Sequence, residues 1–343
     1  MSIAFKRKAN KIAAKIGRVI TLLVIVILAI IFIWAQNKLV LTQEFIFESS
    51  KIPKTFVGYN IAVVSDLLED TTFVESAIDK TDPNLVLFTG NFADSTGDYA
   101  KSVKLVANIA KKYPTAYVLG VHDQKYADGI KSALSSTGAT NMEDSTTFIN
   151  APAISYDEYV DKFIEDKYIK LAANDPESSA AQYLEYTKKS LADDKDAVIA
   201  LSGLSIMDSN TDFITKAYDV INLDRELFQI LMINQGNYFR QISKVDLDLI
   251  VAGNSFGNPI GNNYTKGLYS ENGTSMILSP GIADNPDGSK RILNFPTVVK
   301  ITLSDGTINN ANPLEKLLGY FIQDVNTRFE GDGGFVEHRY TYD

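Results

Sequence analysis

Cysteine is absent from the 343 residues, which excludes disulfides, zinc–thiolate centres and cysteine nucleophiles. A domain without such staples must be held together by its apolar core, and roughly 300 residues are ample for one. A glycine-rich phosphate loop, a Ser-His-Asp order and a His-Glu-x-x-His motif are also missing. Neither an internal repeat nor a low-complexity tract interrupts the chain. No acidic residue precedes Glu44, whereas Lys6, Arg7, Lys8, Lys11, Lys15 and Arg18 all do.

Those six cations precede a run from Val19 to Ala35 that is apolar except for Thr21 and carries no charge. At helical rise the run covers about 25 Å, near the short end for crossing a hydrocarbon core of about 30 Å. Trp34 sits where an interfacial aromatic belongs. The exit Ile33-Trp34-Ala35-Gln36 lacks the small-x-small pattern of a cleavable signal, so the run reads as an uncleaved anchor. The charge asymmetry predicts a cytoplasmic segment 1–18, an anchor 19–35 and a large part outside the membrane. Of the net charge of −9, the part after residue 18 carries −15. That acidity argues against nucleic acid as a partner and against broad adhesion to anionic lipid. The composition fits the outer face of a bacterial cytoplasmic membrane.

A polar and mixed linker is expected over 36–55, ending near Pro53. Beyond it, short apolar runs alternate with helical patterns. Ile61-Ala62-Val63-Val64, Leu85-Val86-Leu87-Phe88 and Ala116-Tyr117-Val118-Leu119 read as buried strands. So do Ala197-Val198-Ile199-Ala200-Leu201, Ile230-Leu231-Met232-Ile233 and Leu249-Ile250-Val251-Ala252. Tyr99, Val103, Val106 and Ala110 share a helical face between two of them. Such alternation indicates an α/β domain with both sheet faces covered.

Residues 151–196 break the alternation with two helical patterns and no strand. Tyr156, Tyr159, Val160, Phe163, Ile164, Tyr168 and Leu171 form an apolar stripe, and Asp175-Pro176 reads as the opening of the second helix. This inserted hairpin either packs its tyrosines on the parent domain or serves as a lid facing a protein or ligand. Near the C-terminus, Leu314, Leu317, Leu318, Phe321, Ile322 and Val325 share one face of an expected helix, Pro313 to Arg328. A polar tail containing His338 follows.

The order of strand-end motifs from about Phe56 to Leu303, insertion excluded, resembles the calcineurin-like metallophosphoesterases, specifically their membrane-associated bacterial branch. In that family five short motifs hold two metal ions about 3.5–4 Å apart, which clamp a phosphate ester and activate a water. Asp-x-His is matched here by Asp66-Leu67-Leu68, and Gly-Asp by Gly90-Asn91. Gly-Asn-His-Asp is matched by Gly120-Val121-His122-Asp123. A strand-ending His is matched by Asn234, and Gly-His-Thr-His-Gly-Gly by Gly253-Asn254-Ser255-Phe256-Gly257-Asn258. Gly267-Leu268-Tyr269, Ser279-Pro280-Gly281 and Phe295-Pro296 also match the branch.

The resemblance implies a four-layer α/β/β/α sandwich over 56–311, preceded by one transmembrane helix and followed by a helix and tail, 312–343. It also implies seven ligand positions: Asp66, Leu68, Asn91, Val121, Asn234, Asn254 and Phe256. Asp66 alone keeps the family residue. The chain has two histidines, His122 and His338, fewer than the family site requires. Asn91 would relieve the repulsion between carboxylates left without a cation. Leu68, Val121 and Phe256 would fill vacated space, while Asn234 and Asn254 would satisfy Asp66 through amide hydrogens. No cofactor is therefore expected; the alternative is one weakly bound divalent cation at Asp66 with amide carbonyls.

His122 and Asp123 correspond to the family's acid and orienting pair, here read as vestigial. The leading expectation is an extracytoplasmic pseudo-phosphoesterase that serves as a binding or scaffolding module for an envelope protein or a cell-envelope ligand, with 151–196 as the contact surface. A residual phosphoester hydrolase using His122, Asp123 and Asp66 is the alternative, and a small-ligand sensor is a third.

Overall fold

A computed structural model describes residues 3–164, 166–206, 212–221, 224–257, 264–286, 291 and 294–306. The expected C-terminal helix and His338 lie outside these residues. The chain runs through helix α1 (Ile3–Lys38), strands β1 (Leu41–Glu48) and β2 (Asn60–Val64), α2 (Val74–Lys80) and β3 (Leu85–Phe88). It continues with α3 (Ala100–Ala110), β4 (Thr115–Tyr117), α4 (Ala127–Ser135), β5 (Thr140–Asn141) and β6 (Ser145–Asn150). Helices α5 (Tyr156–Phe163), α6 (Asp166–Asn174) and α7 (Ser179–Asp193) then precede β7 (Val198–Gly203), α8 (Phe213–Val220) and β8 (Gln229–Gln235). Last come α9 (Phe239–Ile242), β9 (Leu249–Gly253), β10 (Gly267–Glu271), β11 (Thr274–Leu278) and β12 (Thr297–Ser304).

The strands form two mixed six-stranded sheets, ordered β1-β12-β2-β3-β4-β5 and β10-β11-β9-β8-β7-β6. One face of each sheet contributes to a shared apolar cluster. Ile61, Val63 and Leu87 from the first sheet meet Leu201, Ile230 and Val251 from the second. The alternate residues of the same strands point the other way, as the two-residue strand period requires. Val64, Val86 and Phe88 pack with Val106 and Ile109 of α3 and Ile130 of α4. Leu231, Ile233 and Ile250 pack with Ala217 of α8 and Phe239 of α9. Because both faces of the central strands are covered, those strands are almost uniformly apolar. That is why each of the six runs picked out in the sequence contains a strand, although Val118 and Leu119 lie past the end of β4 and Ala197 precedes β7.

Three expectations change. Residues 41–48, inside the segment expected as a linker, form β1, which pairs in parallel with β12 from Leu41↔Thr297 to Glu48↔Ser304. β1 is a sheet edge with only Phe47 buried, so its polar residues hide it from a pattern search. The insertion holds three helices, and the cap of α7 is Ser178, whose hydroxyl accepts the Ala181 N–H, rather than Asp175. On α3 the buried face is Ser102, Leu105, Val106 and Ile109, while Tyr99, Val103 and Ala110 are only half-buried.

Helix α1 encloses the expected anchor. Its stretch Ala14–Phe32, 19 residues at a mean hydropathy of 2.6, is long and apolar enough to span a membrane. At helical rise that stretch covers about 28 Å.

Candidate functional site

The parallel strands of both sheets run toward one end of the molecule, where the loops after β2, β3, β8 and β9 converge. Asp66 sits two residues past β2, Asn91 three past β3, and Asn254 directly after β9. Asn234 is the penultimate residue of β8. Asp66 is fully buried. Its Oδ1 accepts the Asn91 Nδ2–H at 2.8 Å and the Asn254 backbone N–H at 3.0 Å. Its Oδ2 accepts from the Ser65 hydroxyl at 3.3 Å and from the Phe256 N–H at 3.4 Å. Both carboxylate oxygens of Asp66 thus accept hydrogen bonds from protein donors.

Asn91 joins the loops together. Besides Asp66, its Nδ2 donates to Asn254 Oδ1 at 3.0 Å, and its Oδ1 accepts the His122 N–H at 3.0 Å. The close approach leaves no room beside it: a Cβ at Gly120 would lie 2.1 Å from Asn91 Oδ1. Gly281 is equally constrained, at φ +71° with a Cβ position 2.4 Å from Asp66 Oδ2.

Asn234 does not reach Asp66, contrary to expectation. Its Oδ1 accepts the Val121 N–H at 3.0 Å and its Nδ2 donates to the Thr89 carbonyl at 2.6 Å. It ties the two sheets at their shared end instead. Asn254 reaches Asp66 through its backbone N–H and not its amide.

Asp123 is buried, and both its oxygens are taken by backbone. Oδ2 accepts the N–H groups of Asn91 and Gly120, each at 2.8 Å. Oδ1 accepts those of Phe92 at 2.7 Å and Ala93 at 2.9 Å. The carboxylate therefore fixes the loop after β3 and does not orient the neighbouring imidazole. Burial pushes its pKa up to about 6, against the opposing pull of those four N–H donors. His122 is exposed, with its ring edge-on to Phe256 at 5.5 Å. Burial around the ring lowers its pKa, and the Asp66 charge opposes that shift. Phe256 is buried, while Leu68 and Val121 are half-buried.

Five of the seven motif positions hold left-handed backbone: Asp66 at φ 55°, Leu68 at 40°, Asn91 at 63°, Asn254 at 61° and Phe256 at 46°. Asp and Asn tolerate this region. Leu and Phe do so only at a cost of about 1–3 kcal/mol, where the surroundings over-determine the conformation.

Arg291 was not singled out in the sequence. It is 2% exposed, and its guanidinium donates to the Ala283 and Pro280 carbonyls at 2.7–2.9 Å. Burial lowers its pKa to about 10, and the Asp66 charge works against that. Burial likewise raises the Asp66 pKa, with Asn91 and then Arg291 opposing. A lone Arg in a loop carries no pattern that would announce this role. Among the described residues, no three His, Cys, Asp or Glu side chains converge as a metal site. Two surface hollows, one beside Tyr99 and Tyr126 and one beside Thr71 and Asn108, do not include Asp66, Asn91 or Asn254. No family model matches this chain, and no curated protein matches it.

Proposed function

We propose that this is a membrane-anchored pseudo-phosphoesterase: a metallophosphoesterase-like α/β/β/α sandwich with a dismantled metal centre, held outside the membrane as a binding or scaffolding module. The observation that carries this reading is the commitment of Asp66, whose oxygens are spent on Asn91, Asn254, Ser65 and Phe256. A dinuclear centre needs several free carboxylates and imidazoles to hold ions and generate hydroxide. Here the one retained carboxyl group is engaged by N–H donors, and the Asn91 amide and the Arg291 charge oppose the effect of its burial.

Support for the ancestry comes from the five left-handed backbone positions. They keep a loop shape that Leu68 and Phe256 would not choose by themselves. Support for the sandwich comes from the cluster shared by both sheets, with helices packed on each outer face. A retained hydrolase is the second reading, favoured by one observation: the His122 imidazole is exposed at the strand ends where Asp66, Asn91 and Asn254 meet, edge-on to Phe256. The deciding assay is hydrolysis of an activated aryl phosphate with added manganese. The proposal expects no turnover above background. Metal-dependent turnover lost in both Asp66→Asn and His122→Ala would establish the hydrolase instead.

A further inference from the structure

The covalent geometry of the anchor orients the domain. Only Leu39 and Val40 separate the end of α1 from the start of β1, a span of at most about 10 Å. The first residue of β1, Leu41, is level with Thr297 at the start of β12. β12 is antiparallel to β2, with Val299 opposite Val63, so the start of β12 lies at the end of β2 that leads into Asp66. Phe32, the last residue of the apolar stretch, stands edge-on to Phe295 just before β12, with ring centroids 6.5 Å apart. The anchor thus enters the domain at the same end as the candidate site.

The surface of that end is suited to an interface with lipid. Leu39 is 48% exposed, Leu41 39%, and Phe73, in the loop leaving β2, 57%. The helical insertion occupies the opposite end. Asn150 of β6 pairs with Val198 at the start of β7, and α7 leads back to Lys54 through the Asp194 carboxylate at 2.6 Å. Lys54 in turn pairs with Asp305, beyond the far end of β12. An eight-residue strand such as β12 spans roughly 26 Å, so the insertion cannot close over Asp66 as a lid.

Resting on the membrane-anchored reading above, we propose that the end carrying Asp66, Asn91, Asn254 and His122 is apposed to the bilayer surface. The insertion then points away from the membrane. That end meets lipid headgroups rather than bulk solvent, and its contact with them is through Leu39, Leu41 and Phe73. The acidic charge of the domain makes this an apolar, interfacial contact in place of electrostatic adhesion to anionic lipid.

The absence of native cysteine makes a direct test available. Single-cysteine variants of the full chain, Phe73→Cys, Lys125→Cys, Tyr186→Cys and Lys195→Cys, would be labelled with a fluorophore and reconstituted into phosphatidylcholine vesicles carrying headgroup nitroxides. Lys125 follows β4 at the site end, and Tyr186 and Lys195 are exposed at the insertion end. Quenching several-fold stronger at Phe73 and Lys125 than at Tyr186 and Lys195 is expected. Equal or reversed quenching overturns the proposal. A Leu22→Cys label with acyl-chain nitroxides separates the two claims: without quenching there, the anchor itself is absent and both claims fall. Quenching at Leu22 without the difference between the ends defeats only the orientation.

Discussion

Asp66 is a fully buried carboxyl group whose oxygens accept hydrogen bonds from Asn91, Asn254, Ser65 and Phe256. Its pKa is raised by burial above the usual carboxylate range of about 3.9. The unfolded chain therefore releases this proton at lower pH than the folded one. Stability from this group is full below the unfolded value and declines as pH rises through the folded value, by up to about 1.4 kcal/mol per pH unit. His122, with a lowered pKa, acts in the opposite sense and only weakly, since it is exposed. Asp66→Asn should preserve the contact with Asn91 and abolish the Asp66 part of the slope. Thermal melts across pH 4–8 should show the variant gaining on the parent as pH rises; a variant that loses ground at neutral pH would mean the charge is needed. A second buried group near the site is the Thr89 hydroxyl, which has no hydrogen-bond partner. Thr89→Val keeps the shape and removes an unmet polar group, so denaturant unfolding should show a gain of about 1 kcal/mol.

The elements differ in how much of them the sequence reveals. β2, β3, β8 and β9 are covered on both faces, so their apolar runs stand out, and the motif residues follow at their ends. β1 and β6 are edges, with polar residues facing water, and pairing rather than composition makes them strands. The insertion was legible as helical because its stripe has helical spacing. Its position was not, since only the β6–β7 pairing places it away from Asp66. That pairing also gives a prediction. The Ala151 N–H donates to the Ala197 carbonyl at 2.9 Å, so 152–196 can be replaced by a short hairpin turn. The shortened protein should still fold cooperatively. It should lose roughly 1.5–3 kcal/mol through exposure of Val57, which Tyr159 and Leu191 now cover. Failure to fold would show that the insertion is part of the core.

The molecule as a whole joins an apolar helix to a two-sheet domain whose strand ends converge where the chain leaves that helix. The candidate residues were found in the sequence through their order at strand ends, and the structure brings Asp66, Asn91 and Asn254 into one hydrogen-bonded group. Which amide serves which partner was not legible, because it depends on loop conformation. Asn234 turned to Thr89 and Val121, and Arg291 arrived from a loop without any motif. Elemental analysis of the full chain, purified in detergent after incubation with manganese, iron and zinc and then desalted, tests the proposed function most directly. The proposed function predicts metal far below stoichiometric amounts, in the parent and in Asp66→Asn alike. One or more ions per chain, lost on Asp66→Asn, would contradict it and favour the metal-dependent hydrolase reading.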